Sequence, residues 1–208
     1  SAVGYGNNAG GVASSAFGFS NVAKVDYTSA FGYSNEASGL ASSAVGFRNK
    51  AASENASAIG YGNNANALAA SAVGYNNTAG GVGSSTIGYN NTATNENASA
   101  FGYGNTAGGL ASSAFGFSNT ASGDNANAFG YNNIASGSKS NVFGTGNTVS
   151  GSSSTAVGTA NEVAAENSTA IGNNNTISAG AENSAALGNN ISISLKDSVA
   201  LGNNSTAT

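Results

Sequence analysis

Large apolar residues recur along this chain at a fixed interval, and each is followed by glycine. The glycines Gly4, Gly18, Gly32 and onward to Gly172 lie 14 residues apart; one step of 16 leads to Gly188 and one of 14 to Gly202, giving 15 copies. The residue before each glycine is Val, Ile, Leu or Phe, and two before it is nearly always Ala. One after it is Tyr or Phe in the first ten copies, Tyr5 to Tyr131, and three after it is Asn in 13 of the 15, from Asn7. Five after it is Ala, Val or Ile throughout. A unit of this length is too short for a pair of helices. It predicts one turn of a β-solenoid, made of two short strands and two tight turns. Within SAFGY the residues alternate, Ser, Phe and Tyr to one side and Ala and Gly to the other. Coils stacked about 4.8 Å apart would make a rod of roughly 70 Å. The Asn column fits a turn, where Asn tolerates positive φ and can bond the Asn of the coils above and below.

The last five copies suggest what fills the inside. The aromatic after the glycine becomes Thr145, Thr159, Asn173, Asn189 and Asn203, while the Ala five after it becomes Val149, Val163, Ile177 and Ile193 in four of them. A core needs constant filling, so the two columns are expected to border one space between the sheets, with the aromatics as its packing. Sixteen of the 17 Phe and Tyr flank the glycine; the exception, Tyr27, is therefore a binding candidate. Eight after the glycine, aliphatic and acidic residues alternate by coil (Val12, Asp26, Leu40, Glu54, Leu68), with a slip at Val82. Corner packing or a chain–chain contact accounts for the aliphatic ones. So thin a coil buries little apolar area per residue, and its Gly-rich backbone loses much entropy on ordering. Side-by-side association through the Ala/Gly face would offset this, so a homo-oligomer is expected.

Composition narrows the function classes. Only 7% of residues are charged, the net charge is −4, and there is no Pro, Cys, His, Met or Trp. Clustered Lys and Arg are missing, which argues against nucleic acid. Without His or Cys, and with the acids Asp26, Glu54, Glu96, Asp124 and Glu166 two or more coils apart at turns, no catalytic centre, cofactor site or metal site is indicated. GYGNNAGG (4–11) has glycines spaced faintly like a phosphate loop but lacks the Lys and helix such a loop needs. No apolar run is long enough to span a membrane as a helix. The chain opens inside a repeat, as an excised fragment would.

The copies NASAIGYGNNA (55–65), NSTAIGNNNTIS (167–178) and DSVALGNNSTA (197–207) resemble the head repeats of YadA-like trimeric autotransporter adhesins of Gram-negative bacteria, over essentially the whole chain. The resemblance implies an all-β, left-handed parallel β-roll of about 15 fourteen-residue coils, three identical chains side by side as a homotrimer. It implies display on the bacterial cell surface as an extracellular passenger, with outer-membrane anchoring only through C-terminal regions absent here. Residues 1–208 then form one head, with aromatic-rich coils over 1–143 and NSxALGNN-type coils over 144–208 nearer the neck. Heads of this family bind matrix proteins such as collagen and fibronectin, or host receptors such as the CEACAM immunoglobulin-like proteins; the aromatic, Asn-rich style is similar to that of fusobacterial members. The aromatic column departs from typical heads, which carry smaller residues there.

Two functions remain beside a passive spacer with its ligand site elsewhere. The first is an adhesin head that binds a host protein multivalently, through irregularities on its outer turns: Val25, Tyr27, Arg48 and Lys50. The second is an ice-binding wall using the Thr78, Thr92, Thr106 and Thr120 column, a face broken by Glu36, Lys50 and Ile134.

Overall fold

The computed structural model describes residues 1–208, which divide into two compact units, Ser1–Gly104 and Asn105–Thr208. Both follow one plan. Each copy of the repeat supplies a long strand, five residues in every copy but the first, as in Ser71–Tyr75, and a two-residue strand, as in Thr78–Ala79. Strands of successive copies pair in parallel and in register: Ser71 lies opposite Ser85 and Tyr75 opposite Tyr89 in the first unit, Ala114 opposite Ala128 and Phe117 opposite Tyr131 in the second. The long strands form one sheet and the short strands the other. The all-β parallel solenoid of fourteen-residue coils read from the spacing is the fold. The step of 16 is absorbed in the turn around Gly180, after which Thr169 pairs with Ala185 and Ile177 with Ile193.

The interior is made of small residues. The Ala two before the glycine (Ala16, Ala30, Ala44) and the Ala, Val or Ile five after it (Ala23, Val149, Ile177) are fully buried. So are the Asn three after it and the Ser, Thr or Ala ten after it, among them Ser42, Ala56 and Ala70. Nothing larger than Ile is fully enclosed. The aromatics are not the packing between the sheets. They share parity with the outward Ser of SAFGY, and a coil of this length leaves no width for a ring, so Tyr33, Tyr75 and Tyr89 point into solvent at 40–42% exposure. The exchange of Tyr for Thr145 outside and of Ala for Val149 inside therefore takes place on opposite sides of one wall and conserves no common volume. Of the Ala/Gly face only the Ala is closed within the coil; the Gly lies half-buried or exposed between the two outward columns. The aliphatic column plugs no corner: Leu40, Leu68 and Leu110 stand exposed.

The asparagines form the expected ladder, but inside rather than at the turn tip. The positive φ belongs to the residue before each of them, as at Ser20, Ser34, Arg48 and Asn76. Asn21 is representative. Its Nδ2 donates to the Phe17 carbonyl at 2.8 Å, to the Gly32 carbonyl of the next coil at 2.6 Å and to Asn7 Oδ1 of the previous coil at 3.0 Å. Asn7 Oδ1 also accepts the Asn21 backbone N–H at 2.9 Å. The same set recurs at Asn77 and, in the second unit, at Asn133 and Asn161. The ladder stops where Ile191 replaces Asn, its N–H still donating to Asn175 Oδ1 at 3.0 Å.

The glycine belongs to this arrangement. Gly74 has φ +120°, and a Cβ there would lie 2.1 Å from the Gly88 carbonyl oxygen and 3.1 Å from Asn77 Nδ2. A side chain would thus push coils apart and displace the amide that satisfies the neighbouring carbonyl. Gly74→Ala is expected to cost about 3 kcal/mol or more. Asn77→Ala, which strips buried carbonyls of their donor, is expected to cost about 2–4 kcal/mol. Both are read from chemical denaturation against Asn76→Ala on the exposed turn, which should change stability by under about 1 kcal/mol.

Candidate functional site

Neither unit holds a pocket, so any function rests on the outer surface. The first tract of that surface is the outward face of the long strands. Alternation places two columns there, one on each side of the glycine. In the first unit eight rings, Tyr5 to Tyr103, form a ladder whose neighbouring centroids lie 4.8–5.2 Å apart with planes within 16° of parallel. The strand spacing sets this distance, and it falls in the range of favourable ring stacking. In the second unit Phe117 stacks on Tyr131 at 5.2 Å, and the same column ends in an amide ladder, Asn173 to Asn189 at 2.7 Å and Asn189 to Asn203 at 2.8 Å. The column before the glycine adds Phe17 on Phe31 at 5.1 Å and Phe129 on Phe143 at 5.3 Å. Ile87, Phe143 and Leu187 in that column are over 40% exposed. Together the columns make a contiguous apolar surface of the kind that marks an interface.

The four turn candidates do not form one patch. Val25 and Tyr27 share the turn leading into a long strand. Val25 is half-buried, its carbonyl accepting the Thr28 hydroxyl at 2.6 Å. Tyr27 is 63% exposed, stands at φ +60° and stacks on no ring. Its backbone N–H donates to the Val12 carbonyl at 2.9 Å. Its counterparts in the adjacent coils are Ala13 and Ala41, each next in sequence to an exposed aliphatic, Val12 or Leu40. Arg48 and Lys50 lie on the other turn and the short strand that follows. The Arg48 guanidinium sits 5.2 Å from the Phe47 ring centroid, a cation–π contact with an interior ring of the ladder. Lys50 Nζ lies 3.9 Å from Glu36 Oε2, an exposed pair of little energetic weight.

The acid column is turn chemistry. Asp26 Oδ1 accepts the Val12 N–H at 2.7 Å and Asp124 Oδ1 the Leu110 N–H at 2.9 Å, so each carboxylate satisfies a backbone donor of the coil before it. The threonines do align, Thr78 opposite Thr92 and Thr106 opposite Thr120, but the Glu36–Lys50 pair stands in the same column and breaks the hydroxyl row.

The outward ring ladder was not foreseen, although its signal was present. Columns made mostly of Ala, Asn and Ser and never holding a ring mark the inside of so narrow a coil, and the large, varied residues then mark the outside.

A family model described as the YadA head domain repeat, two copies, matches residues 9–35, 23–49, 37–63, 51–77, 79–105, 107–133, 150–175 and 196–208. Among curated proteins none matches. Within the ring ladder, Tyr75→Ala removes two stacking partners and is expected to cost about 1–3 kcal/mol, whereas Tyr5→Ala at the end removes one and should cost about half as much. Equal losses in thermal melts of the two variants would show that the stack itself adds nothing.

Proposed function

Because this chain belongs to the YadA head repeat family, whose members are adhesin heads carried outside the cell by outer-membrane autotransporters, we propose that it is the host-binding head of such an adhesin and works as a homotrimer. The observation that carries the reading is the exposed apolar face of the long strands. Rings and aliphatic chains stand there at 40% exposure or more in coil after coil (Ile59, Tyr61, Ile87, Tyr89). Packing this face against two further copies would remove it from water, at about 25 cal/mol per Å² of apolar area. It replaces the Ala/Gly face as the surface for chain–chain contact. The closed, heavily hydrogen-bonded coils then present stiff outer turns, each in three copies. Three copies of a weak patch bind a multivalent cell surface far more tightly than one.

In this reading the ligand is a protein on the host surface, either a CEACAM-type immunoglobulin-like receptor or a matrix protein such as collagen or fibronectin. Val25 and Tyr27 provide the first contact tract. The exposed phenol of Tyr27, between coils that carry the exposed Val12 and Leu40, has the amphipathic character of an interface anchor. Arg48 and Lys50 on the other turn form a second, charged tract that sets orientation and association rate more than affinity.

Sedimentation equilibrium of the purified chain should give three-chain mass, and Ile87→Asp together with Phe101→Asp should shift it to monomer. A wild-type chain that stays monomeric at micromolar concentration overturns the assembly. Binding of the immobilised chain to collagen, fibronectin and an amino-terminal CEACAM domain tests the function. Tyr27→Ala should weaken the binding partner found at least about tenfold without altering trimer mass. No binding to any of the three, or undiminished binding by Tyr27→Ala, rejects ligand class or site respectively.

A further inference from the structure

Each coil but the last has two turn positions in the left-handed region besides its glycine. One lies two residues after the glycine and the other nine after it, or eleven after Gly172, with φ between 50° and 65°. Asparagine occupies many of them, as expected of the residue that best tolerates this conformation after glycine. At eight of these asparagines the second residue on is Ser or Thr: Asn55-Ala-Ser57, Asn76-Asn-Thr78, Asn90-Asn-Thr92, Asn97-Ala-Ser99, Asn167-Ser-Thr169, Asn174-Asn-Thr176, Asn190-Ile-Ser192 and Asn204-Ser-Thr206. This is the acceptor motif for N-linked sugar. We propose that these turn asparagines are glycosylation sites, taking a hexose-class sugar from an activated glycosyl diphosphate.

Two independent observations support the assignment. The first is geometric. In seven of these motifs, all but the terminal one at Asn204, the asparagine is exposed and the middle residue buried, while the hydroxyl residue begins a strand and is half-buried. The acceptor amide and its hydroxyl therefore project from one side of the turn, with the intervening side chain locked into the core. The second is the distribution. None of the thirteen ladder asparagines lies in the motif, because the residue two after each is the core Ala, Val or Ile, as in Asn77-Thr-Ala79 and Asn147-Thr-Val149. A sugar added at any of these sites thus stays in water and leaves the ladder intact.

The step balances. The side-chain Nδ2 attacks the anomeric carbon, the C–N bond forms as the C–O bond to phosphate breaks, the amide gives one proton to a base of the transferase, and the diphosphate leaves. The product keeps one N–H. At Asn76, whose Nδ2 donates to Asn90 Oδ1 at 3.1 Å, that remaining hydrogen can preserve the coil-to-coil bond.

The chain carries its own controls. Asn125 and Asn132 occupy the same two turns, exposed and at φ +57° and +54°, but are followed two residues on by Asn127 and Ile134. Peptide mass spectrometry of the protein isolated from the cells that make it should find sugar mass on Asn90 and Asn97 and none on Asn125 and Asn132. Ser99→Ala should abolish the mass at Asn97 while leaving the turn asparagine in place, and Asn127→Ser should create it at Asn125. Bare Asn90 and Asn97, or sugar on Asn125 and Asn132 to the same extent, overturns the proposal. Incubating unmodified chain with labelled nucleoside-diphosphate hexose distinguishes the donor: transfer by the soluble cell fraction alone indicates direct use of the nucleotide sugar, and dependence on the membrane fraction indicates a lipid-linked donor.

Discussion

A parallel coil of fourteen residues closes only if its backbone is redirected as the long strand ends: the glycine at φ near +120°, the last residue but one of that strand, prepares the left-handed turn two residues further on. This geometry leaves the glycine carbonyl facing the coil before it, and the buried Asn amide of that coil donates to it at 2.6–2.9 Å wherever the ladder runs. Glycine and asparagine are thus two halves of one constraint. A Cβ on the glycine strikes a carbonyl, and a residue without an amide removes the donor to the next coil's glycine carbonyl, so the ladder ends where Ile191 stands. The rest of the coil is arranged around this pair, with small side chains filling what space remains.

The consequence for packing is an inversion of the usual order. The interior is Ala, Asn and Ser, held by hydrogen bonds repeated coil to coil, and the large apolar chains stand outside. Their stacking partly shelters them, ring on ring, but a face of Phe, Tyr, Ile and Leu stays in water on a lone chain. The same parity that keeps bulk out of the narrow core concentrates it on one outer face. The architecture of the single coil and the surface for a partner therefore follow from one geometric limit, the width between two short strands.

The fold was legible because the period is strict. Fourteen-residue spacing, the alternation in SAFGY and the invariant glycine each depend on local backbone geometry, and all three hold in the structure. What filled the interior was not legible. The shift from Tyr131 to Thr145 and from Ala135 to Val149 looked like one volume traded between two columns, when a sheet wall separates them. Period-two alternation says which residues share a side and nothing about which side is in. The place of Tyr27 outside the ring columns was readable from its register, since a residue out of step with the packing has nowhere to go but out. The separation of Tyr27 from Arg48 onto different turns required the path of the coil, which no spacing conveys.

The added pair of residues near Gly180 shows what such a ladder tolerates. Extra chain is accommodated in the turn between the short strand and the next long strand, and pairing beyond it resumes as though nothing had been inserted. Each coil bonds to its neighbours through the same atoms, so an internal coil has no identity that the ladder can read. Gain or loss of whole coils by unequal recombination leaves every amide and carbonyl satisfied. The number of coils is accordingly a quantity that evolution can raise or lower in single fixed increments without redesigning the protein.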